Sequence, residues 1–154
     1  LQSKYNFGNY YVGLAYNQVS DGDFEETFFA ADHGHFASSA KMFYMFGLED
    51  EDTVKLSAGM SFADFGIPQM RWDMHYGFSD GAATVADLER SELQSVVQYR
   101  FDGDLKGLSL AWLHTEFDTD FTGAPHVVNN AGAPTAATID HHADRFYVNY
   151  IYNF

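Results

Sequence analysis

The chain has 154 residues, 46% of them hydrophobic and 18% aromatic, with a formal net charge of -14. Such an acidic surface argues against a nucleic-acid partner, and the absence of cysteine excludes disulfide and thiol chemistry. The sequence contains no apolar run of about eighteen residues, so no transmembrane helix is predicted. The fifteen Phe and ten Tyr instead match the aromatic girdles of membrane β-barrels. A start at Leu1 without a signal peptide is expected of a mature exported protein, or of a piece of one.

The first third of the chain contains one clear strand. Residues Tyr10 to Asn17 alternate in polarity and are predicted to form it, because a β-strand sends successive side chains to opposite faces. The preceding segment, Asn6 to Asn9, has the composition of a turn, and the upstream partner strand is expected to be absent from the chain. Residues 18–52 are predicted either as one loop folded into a barrel lumen or as a loop that contains two further strands.

Alternation returns in the remaining two thirds. It predicts strands at Thr53 to Phe65, Met70 to Ser79, Glu92 to Phe101, Leu108 to Phe117 and Arg145 to Phe154. The connections are short at 66–69 and 102–107 and long at 18–52, 80–90 and 118–143. Outer-membrane barrels have short periplasmic turns and long extracellular loops, so the three long segments are predicted to be extracellular. The acidic blocks of the chain fall in these segments and are interpreted as solvated.

The last strand is the most informative. Phe146, Val148, Tyr150, Tyr152 and Phe154 share one face, whereas the other face is mostly polar. The predicted fold is an all-β transmembrane antiparallel barrel, an up-and-down meander of six clear strands, or eight if residues 18–52 contain two. The alternative is a soluble β-sandwich, whose polar face would usually carry more Lys and Glu.

Strand parity divides the candidate functional residues into two groups. The predicted pore-lining residues are Lys55, Arg71, Asp73, His75, Glu92, Arg100 and Arg145. The basic members would attract anions into a lumen, unless they only neutralise the acids beside them. The predicted membrane belt consists of Trp72, Tyr76, Trp112, Tyr150, Tyr152 and Phe154. The alternative for these aromatic residues is packing against a partner in a homo-oligomer.

Catalytic and metal sites are not predicted. His33 with His35, and the segment from Asp140 to Asp144, contain metal-binding residue types but no full set of four ligands. No spacing marks a catalytic triad or a carboxylate dyad. The chain is therefore expected to be neither an enzyme nor a cofactor-binding protein.

The order of motifs from Thr53 onward resembles the C-terminal part of the OprD-type bacterial outer-membrane porins. The matching pieces are Phe62 to Pro68, Tyr76-Gly77, Glu89 to Glu92 leading into Val97 to Phe101, Asp104 to Trp112, and Asp144 to Tyr150. The final strand also resembles the C-terminal signal strand of outer-membrane proteins. The resemblance implies a monomeric barrel of about eighteen strands, with loops folded into the pore and basic residues that guide anionic solutes. It also implies contact with lipid and lipopolysaccharide, and assembly by the barrel-assembly machinery through the last strand.

Six strands are too few to close a barrel, since about eight is the smallest single-chain number. The chain is therefore expected to be part of a larger porin, or to close as an eight-stranded barrel with strands from 18–52. Small residues at many inward positions favour the wide barrel. The predicted function is passive diffusion of small polar, anionic solutes; the alternative is a non-conducting structural or adhesion barrel.

Overall fold

A computed structural model describes residues 1–21, 48–83, 85–122 and 140–151, apart from the side chain of His141. Seven strands form one antiparallel sheet in which each strand pairs with its sequence neighbours. They are β1 (Gln2–Phe7), β2 (Tyr10–Gln18), β3 (Asp52–Ser61), β4 (Met70–Asp80), β5 (Glu89–Arg100), β6 (Leu108–Asp120) and β7 (His141–Tyr150). No helix within these described ranges is both long enough and apolar enough to cross a membrane.

The chain contains the partner strand of β2 that was predicted to be absent from it. Residues Gln2–Phe7 form β1, and Phe7 pairs with Tyr10 across a two-residue turn. Gly8 in that turn has a φ of 59°, a conformation that glycine adopts without the steric cost of a Cβ. The predicted turn is present. The expectation that its upstream partner strand lies outside the chain was wrong, so the described residues contain seven strands rather than the six predicted.

Several strand ends differ from the sequence prediction. β3 stops at Ser61, because residues Phe62–Phe65 form a single 3-10 turn. The Ser61 hydroxyl accepts a hydrogen bond from the Ala63 N–H at 3.3 Å, which ends the extended conformation. β5 begins already at Glu89 and β6 extends to Asp120, so Arg90 and Asp118 are strand residues rather than loop residues.

The connections divide the sheet into two distinct ends. The short connections 8–9, 62–69 and 101–107 lie at what we call the short-turn end. The connections 19–51, 81–88 and 121–140 lie at the opposite, long-loop end. This is the alternation expected of a barrel meander. Residues 22–47 and 123–139 lie outside the described residues, and with them the question of further strands in 18–52.

Burial in the sheet is the reverse of that in a soluble domain. The buried side chains of the strands include Thr53, Lys55, Arg90, Glu92 and Thr115, all on one face. Large apolar side chains on the other face are exposed, with Phe146 at 78% and Val148 at 71%. A small apolar cluster of Leu48, Val85 and Leu88 lies at the long-loop end, packed against Ala82 and Phe121. An apolar face of this extent indicates an environment other than water.

Candidate functional site: the two faces of the sheet

Register determines which side chains share a face. Residues directly opposite each other on antiparallel strands point the same way. One such row is Tyr11, Gly59, Asp73, Val96, Leu113 and Arg145. We call the side of the sheet that contains this row the polar face, and its opposite the apolar face. Strand alternation from this row places all seven predicted pore-lining residues on the polar face.

The basic residues are concentrated on the polar face. The strands carry six of them there: Lys4, Lys55, Arg71, Arg90, Arg100 and Arg145. Of the other two basic residues in the sequence, Lys106 lies in a turn and Lys41 lies outside the described residues. The carboxylates on the same face of the described strands are Asp73 and Glu92, joined by Glu51 just before β3. The sequence reading missed Lys4 because β1 was not recognised, and Arg90 because it was assigned to a loop.

Side-chain hydrogen bonds on the polar face connect β4 with β2 and, separately, with β3. Arg71 donates from Nε to Asp73 Oδ2 and from Nη2 to Asp73 Oδ1, each at 2.7 Å. The Tyr11 hydroxyl donates to the same Oδ1 at 2.7 Å. Beside this cluster, His75 Nδ1 lies 2.9 Å from Ser57 Oγ. Arg71 is therefore paired with its neighbouring acid, the alternative that the sequence left open for each basic residue.

The remaining predicted pore-lining residues differ in accessibility. Lys55 and Glu92 are buried, and Glu92 accepts a hydrogen bond from the Thr115 hydroxyl at 2.6 Å. Arg145 is half-buried. Arg100 is exposed, and in the described part of the chain its guanidinium has no ion-pair partner. Arg100 is thus the member of the predicted set whose charge is most open to a passing solute.

The interpretation of the acidic blocks as solvated was wrong for Glu51. It belongs to the block Glu49 to Asp52, yet its side chain is 0% exposed and paired with Arg90, which is equally buried. Burying a carboxylate is costly unless a cation and hydrogen bonds compensate its charge, and Arg90 provides that compensation. The sequence offered no signal for this pair, because its members lie 39 residues apart.

The apolar face carries a band of exposed hydrophobic side chains. The border of this band towards the long-loop end lies at different heights on different strands. On β2, β3 and β4 the last apolar residues before the long-loop end are Tyr16, Val54 and Phe78, which are register partners. On β6 and β7 the border lies at Trp112 and Phe146. Trp112 lies in the same row as Trp72 of β4, whereas the border on β4 itself lies at Phe78. Measured along β4, the border on β6 and β7 is therefore six residues closer to the short-turn end.

Strand tilt explains this oblique border. Strands about 4.8 Å apart and tilted by about 40° cross a fixed membrane plane about 4 Å further along at each step. That displacement is slightly more than one residue per strand, or about six residues from β2 to β7. The total fall of the border from β2 to β7 therefore equals that expected for a tilted barrel wall, and it occurs between β4 and β6.

Four predicted belt residues lie on the apolar face: Trp72, Tyr76, Trp112 and Tyr150. The indole N–H of Trp72 donates to Ser95 at 2.8 Å, and that of Trp112 to Asp144 at 2.9 Å. These bonds satisfy the polar part of each ring next to apolar surroundings. Tyr152 and Phe154 lie outside the described residues.

Polar groups follow directly beyond the oblique border. His114 Nδ1 lies 3.0 Å from Asp144 Oδ1 and His114 Nε2 lies 3.5 Å from Glu116 Oε1. Within the described residues no three side chains are arranged to hold a metal ion. The apolar face is thus a band with a polar margin at the long-loop end.

Comparison with known proteins shows the same fold in solved porin structures. No protein-family model matches the sequence, and no curated protein matches it either. Among solved structures, OccK2 (OpdF) of Pseudomonas aeruginosa has a TM-score of 0.72 at 14% identity, over 97% of this chain and 37% of that one. OccK1 (OpdK) of the same organism has 0.69 at 17%, over 94% and 35%. OccAB4 of Acinetobacter baumannii has 0.67 at 19%, over 97% and 34%.

At these identities the comparison establishes the fold. The resemblance to the OprD-type porins is confirmed as a structural similarity, and with it the transmembrane antiparallel β-barrel class and the Gram-negative outer-membrane location of that fold. The chain spans a little over a third of the length of these porins. The similar proteins are channels rather than enzymes.

Proposed function

We propose that the chain forms part of the wall of a porin through which small polar solutes diffuse. The observation that carries the proposal is the two-faced sheet, which has an oblique apolar band on one side and all basic side chains of the described strands on the other. The seven strands of the described residues would be about two fifths of a barrel of about eighteen. That fraction agrees with the 34% to 37% of the similar porins that the chain covers.

The division into faces suggests the role of each side. The apolar face would contact lipid, with Trp72, Tyr76, Trp112 and Tyr150, together with Tyr152 and Phe154, forming the membrane belt. The polar face would line the pore, with Lys55, Arg71, Asp73, His75, Glu92, Arg100 and Arg145 on it. Because the backbone of a membrane strand must be hydrogen-bonded on both sides, β1 and β7 would pair with further strands of the same wall.

The charge distribution supports a preference for anionic solutes. The polar face carries more cations than carboxylates, although the whole chain has a net charge of -14. Many of the acids lie instead at the long-loop end on the apolar-face side: Asp52, Asp80, Glu89, Glu116, Asp118, Asp120 and Asp144. Salt screens such exposed charges over about 8 Å at physiological ionic strength. The pore would therefore respond mainly to the cations of its own face.

The substrate class follows from chemistry and from two of the similar proteins. OpdK has been solved with vanillate and OccK2 with glucuronate, and both of these compounds are carboxylates. Guanidinium groups bind carboxylates well because their N–H donors match the two oxygens. We extend this to the present chain and propose small organic carboxylates as its solutes.

Planar-bilayer recording in a salt gradient tests the proposal. The barrel that contains this chain should form open channels with a reversal potential on the anion-selective side. A cation-selective channel would contradict the anion preference and leave the porin function standing. Absence of any conductance from a correctly inserted barrel would favour the alternative, a non-conducting structural or adhesion barrel.

Contacts with lipid, with the assembly machinery and with further copies of the barrel remain predictions, and the purified barrel can be used to test the last of these. Lipid and lipopolysaccharide would contact the apolar face, and the barrel-assembly machinery would recognise the last strand. A homo-oligomer would instead cover part of the belt, so the mass of the purified native barrel distinguishes a monomer from an oligomer. The mass of its polypeptide also separates a wide barrel from an eight-stranded one of 17.3 kDa.

A further inference from the structure

A groove lies on the apolar face across β5, β6 and β7. It has a volume of about 280 Å³, and every described residue that lines it is apolar or aromatic, including Val97, Leu110, Trp112, Phe146 and Val148. These residues belong to two adjacent rows of the sheet, one through Trp112 and the next, towards the short-turn end, through Leu110. The volume lies just below the roughly 300 Å³ at which pockets for drug-sized ligands begin, so the groove fits one hydrocarbon chain rather than a whole lipid.

Trp112 connects this groove to polar groups at the border of the apolar band. Its ring lines the groove, and its indole N–H donates to Asp144 Oδ1 at 2.9 Å. Asp144 and its register partner His114 lie in the next row towards the long-loop end. Because the border of the band on β6 and β7 lies at Trp112 and Phe146, this row is at the level where the headgroups of lipids would begin.

The polar groups beside the groove carry an excess of negative charge. His114 Nδ1 lies 3.0 Å from Asp144 Oδ1, and His114 Nε2 lies 3.5 Å from Glu116 Oε1. One imidazolium would offset only one of these two carboxylates. The side chains of Asp144 and Glu116 are 48% and 58% exposed, so both carboxylates can accept hydrogen bonds from a ligand. All Lys and Arg residues of the described strands lie on the opposite face, and an anionic headgroup would find none of them here.

We propose that the groove and these polar groups bind one molecule of phosphatidylethanolamine. One acyl chain occupies the groove, and the primary ammonium donates hydrogen bonds to the carboxylates of Asp144 and Glu116. His142, the exposed register partner of Glu116, offers a ring N–H to the phosphate. A choline headgroup has no N–H to donate and a glycerol headgroup has no cation, so this chemistry selects ethanolamine. The site rests on the proposed function, because it requires the apolar face to contact lipid.

Photocrosslinking with a phosphatidylethanolamine that carries a diazirine in one acyl chain tests the site. The barrel that contains this chain is reconstituted in phosphatidylcholine vesicles with a trace of the probe and irradiated, and its peptides are analysed by mass spectrometry. Adducts should map to β6 and β7 beside Leu110 and Val148. Unlabelled phosphatidylethanolamine should suppress these adducts at a mole fraction about tenfold lower than phosphatidylglycerol with the same chains, the difference expected for one charge-assisted hydrogen bond. Asp144→Asn should raise the half-suppressing fraction of phosphatidylethanolamine by about the same factor.

Asp80→Asn provides the matched control. It removes the same charge from an exposed position at the same end of the apolar face, but on β4 and outside the groove, and it should leave the competition unchanged. Equal competition by the two phospholipids, equal effects of the two substitutions, or preferential displacement of the probe by lipopolysaccharide would overturn the site, while channel activity would still uphold the porin. Selective competition that Asp144→Asn weakens, in a barrel without conductance, would uphold the site and reject the porin function.

Discussion

Glu51 and Arg90 form an ion pair in which neither side chain is exposed. Arg90 Nε donates to Glu51 Oε1 at 2.9 Å, and the Ser79 hydroxyl donates to the same oxygen. The other carboxylate oxygen accepts the Leu48 N–H at 2.9 Å. The pair thus connects the start of β3 to β4 and β5 at the long-loop end. Because Glu51 neutralises its charge and solvent cannot reach it, Arg90 stabilises the sheet and does not attract anions.

Glu51→Gln should strongly destabilise the barrel. The substitution removes the carboxylate charge of Glu51 from beside the buried Arg90 guanidinium, and breaking a buried ion pair typically costs about 3–5 kcal/mol. The measurement is urea-induced unfolding of the barrel in lipid vesicles. Glu89→Gln is the matched control, since Glu89 is exposed at the adjacent position on β5, and it should change the free energy of unfolding by less than about 0.5 kcal/mol. Comparable losses for the two variants would contradict the structural role of the pair.

Gly59→Ala should destabilise the Tyr11 arrangement. The new Cβ would lie 2.2 Å from Tyr11 Cε1 and 2.7 Å from Asp73 Oδ1, so the ring must move. Overpacking of this kind costs about 1–3 kcal/mol. Gly13→Ala is the control, because a Cβ there meets its nearest atom, Ser3 O, at an ordinary 3.4 Å. A double variant, Gly59→Ala with Tyr11→Ala, should recover part of the stability, and failure to do so would exclude the ring as the cause.

Arg100→Gln should reduce anion selectivity more than Arg71→Gln. The guanidinium of Arg100 is exposed and has no ion-pair partner in the described residues, whereas Asp73 offsets the charge of Arg71. Each guanidinium is charged at any ordinary pH, so the comparison concerns only how far its field is compensated. Reversal potentials of the two variants in the same salt gradient give the result. A larger shift for Arg71→Gln would show that the Asp73 pair does not reduce its effect.

Adjacent positions on β4 should differ in accessibility to water. Met74 lies on the apolar face and His75 on the polar face. The given sequence has no cysteine, so each of the single variants Met74→Cys and His75→Cys adds one thiol to it. A membrane-impermeant thiol reagent should modify the cysteine at position 75 and leave the one at 74 unmodified. Equal modification would reject the assignment of lipid and pore faces.

The orientation of the sheet in the membrane can be tested with two exposed sites. Thr122 lies at the long-loop end and Ile67 at the short-turn end, and both are exposed. If the long loops are extracellular, an impermeant thiol reagent applied to intact cells should label Thr122→Cys but not Ile67→Cys. Ile67→Cys should become labelled once the outer membrane is disrupted. The reverse pattern would invert the topology.

The sequence alone determined the strand class, most strand positions and the distribution of polar and apolar residues between the two faces. Alternation is a local property, since each residue's side is set by its position along its own strand. For that reason Arg71, Asp73 and His75 could be assigned to one face, and Trp72 and Tyr76 to the other, without knowledge of any partner strand. Residues Gln2–Phe7 were not predicted as a strand, because Asn6 and Phe7 were assigned to the turn before β2.

Tertiary structure alone decided which side chains meet and how far each charge is exposed. Contact between strands depends on register, and Tyr11 meets Asp73 from 62 residues away only because Gly59 lies between them in the same row. The burial of Glu51 against Arg90 likewise requires the ends of three strands to come together. The oblique border of the apolar band has the same origin, since tilt is a property of the assembled sheet that no single strand encodes.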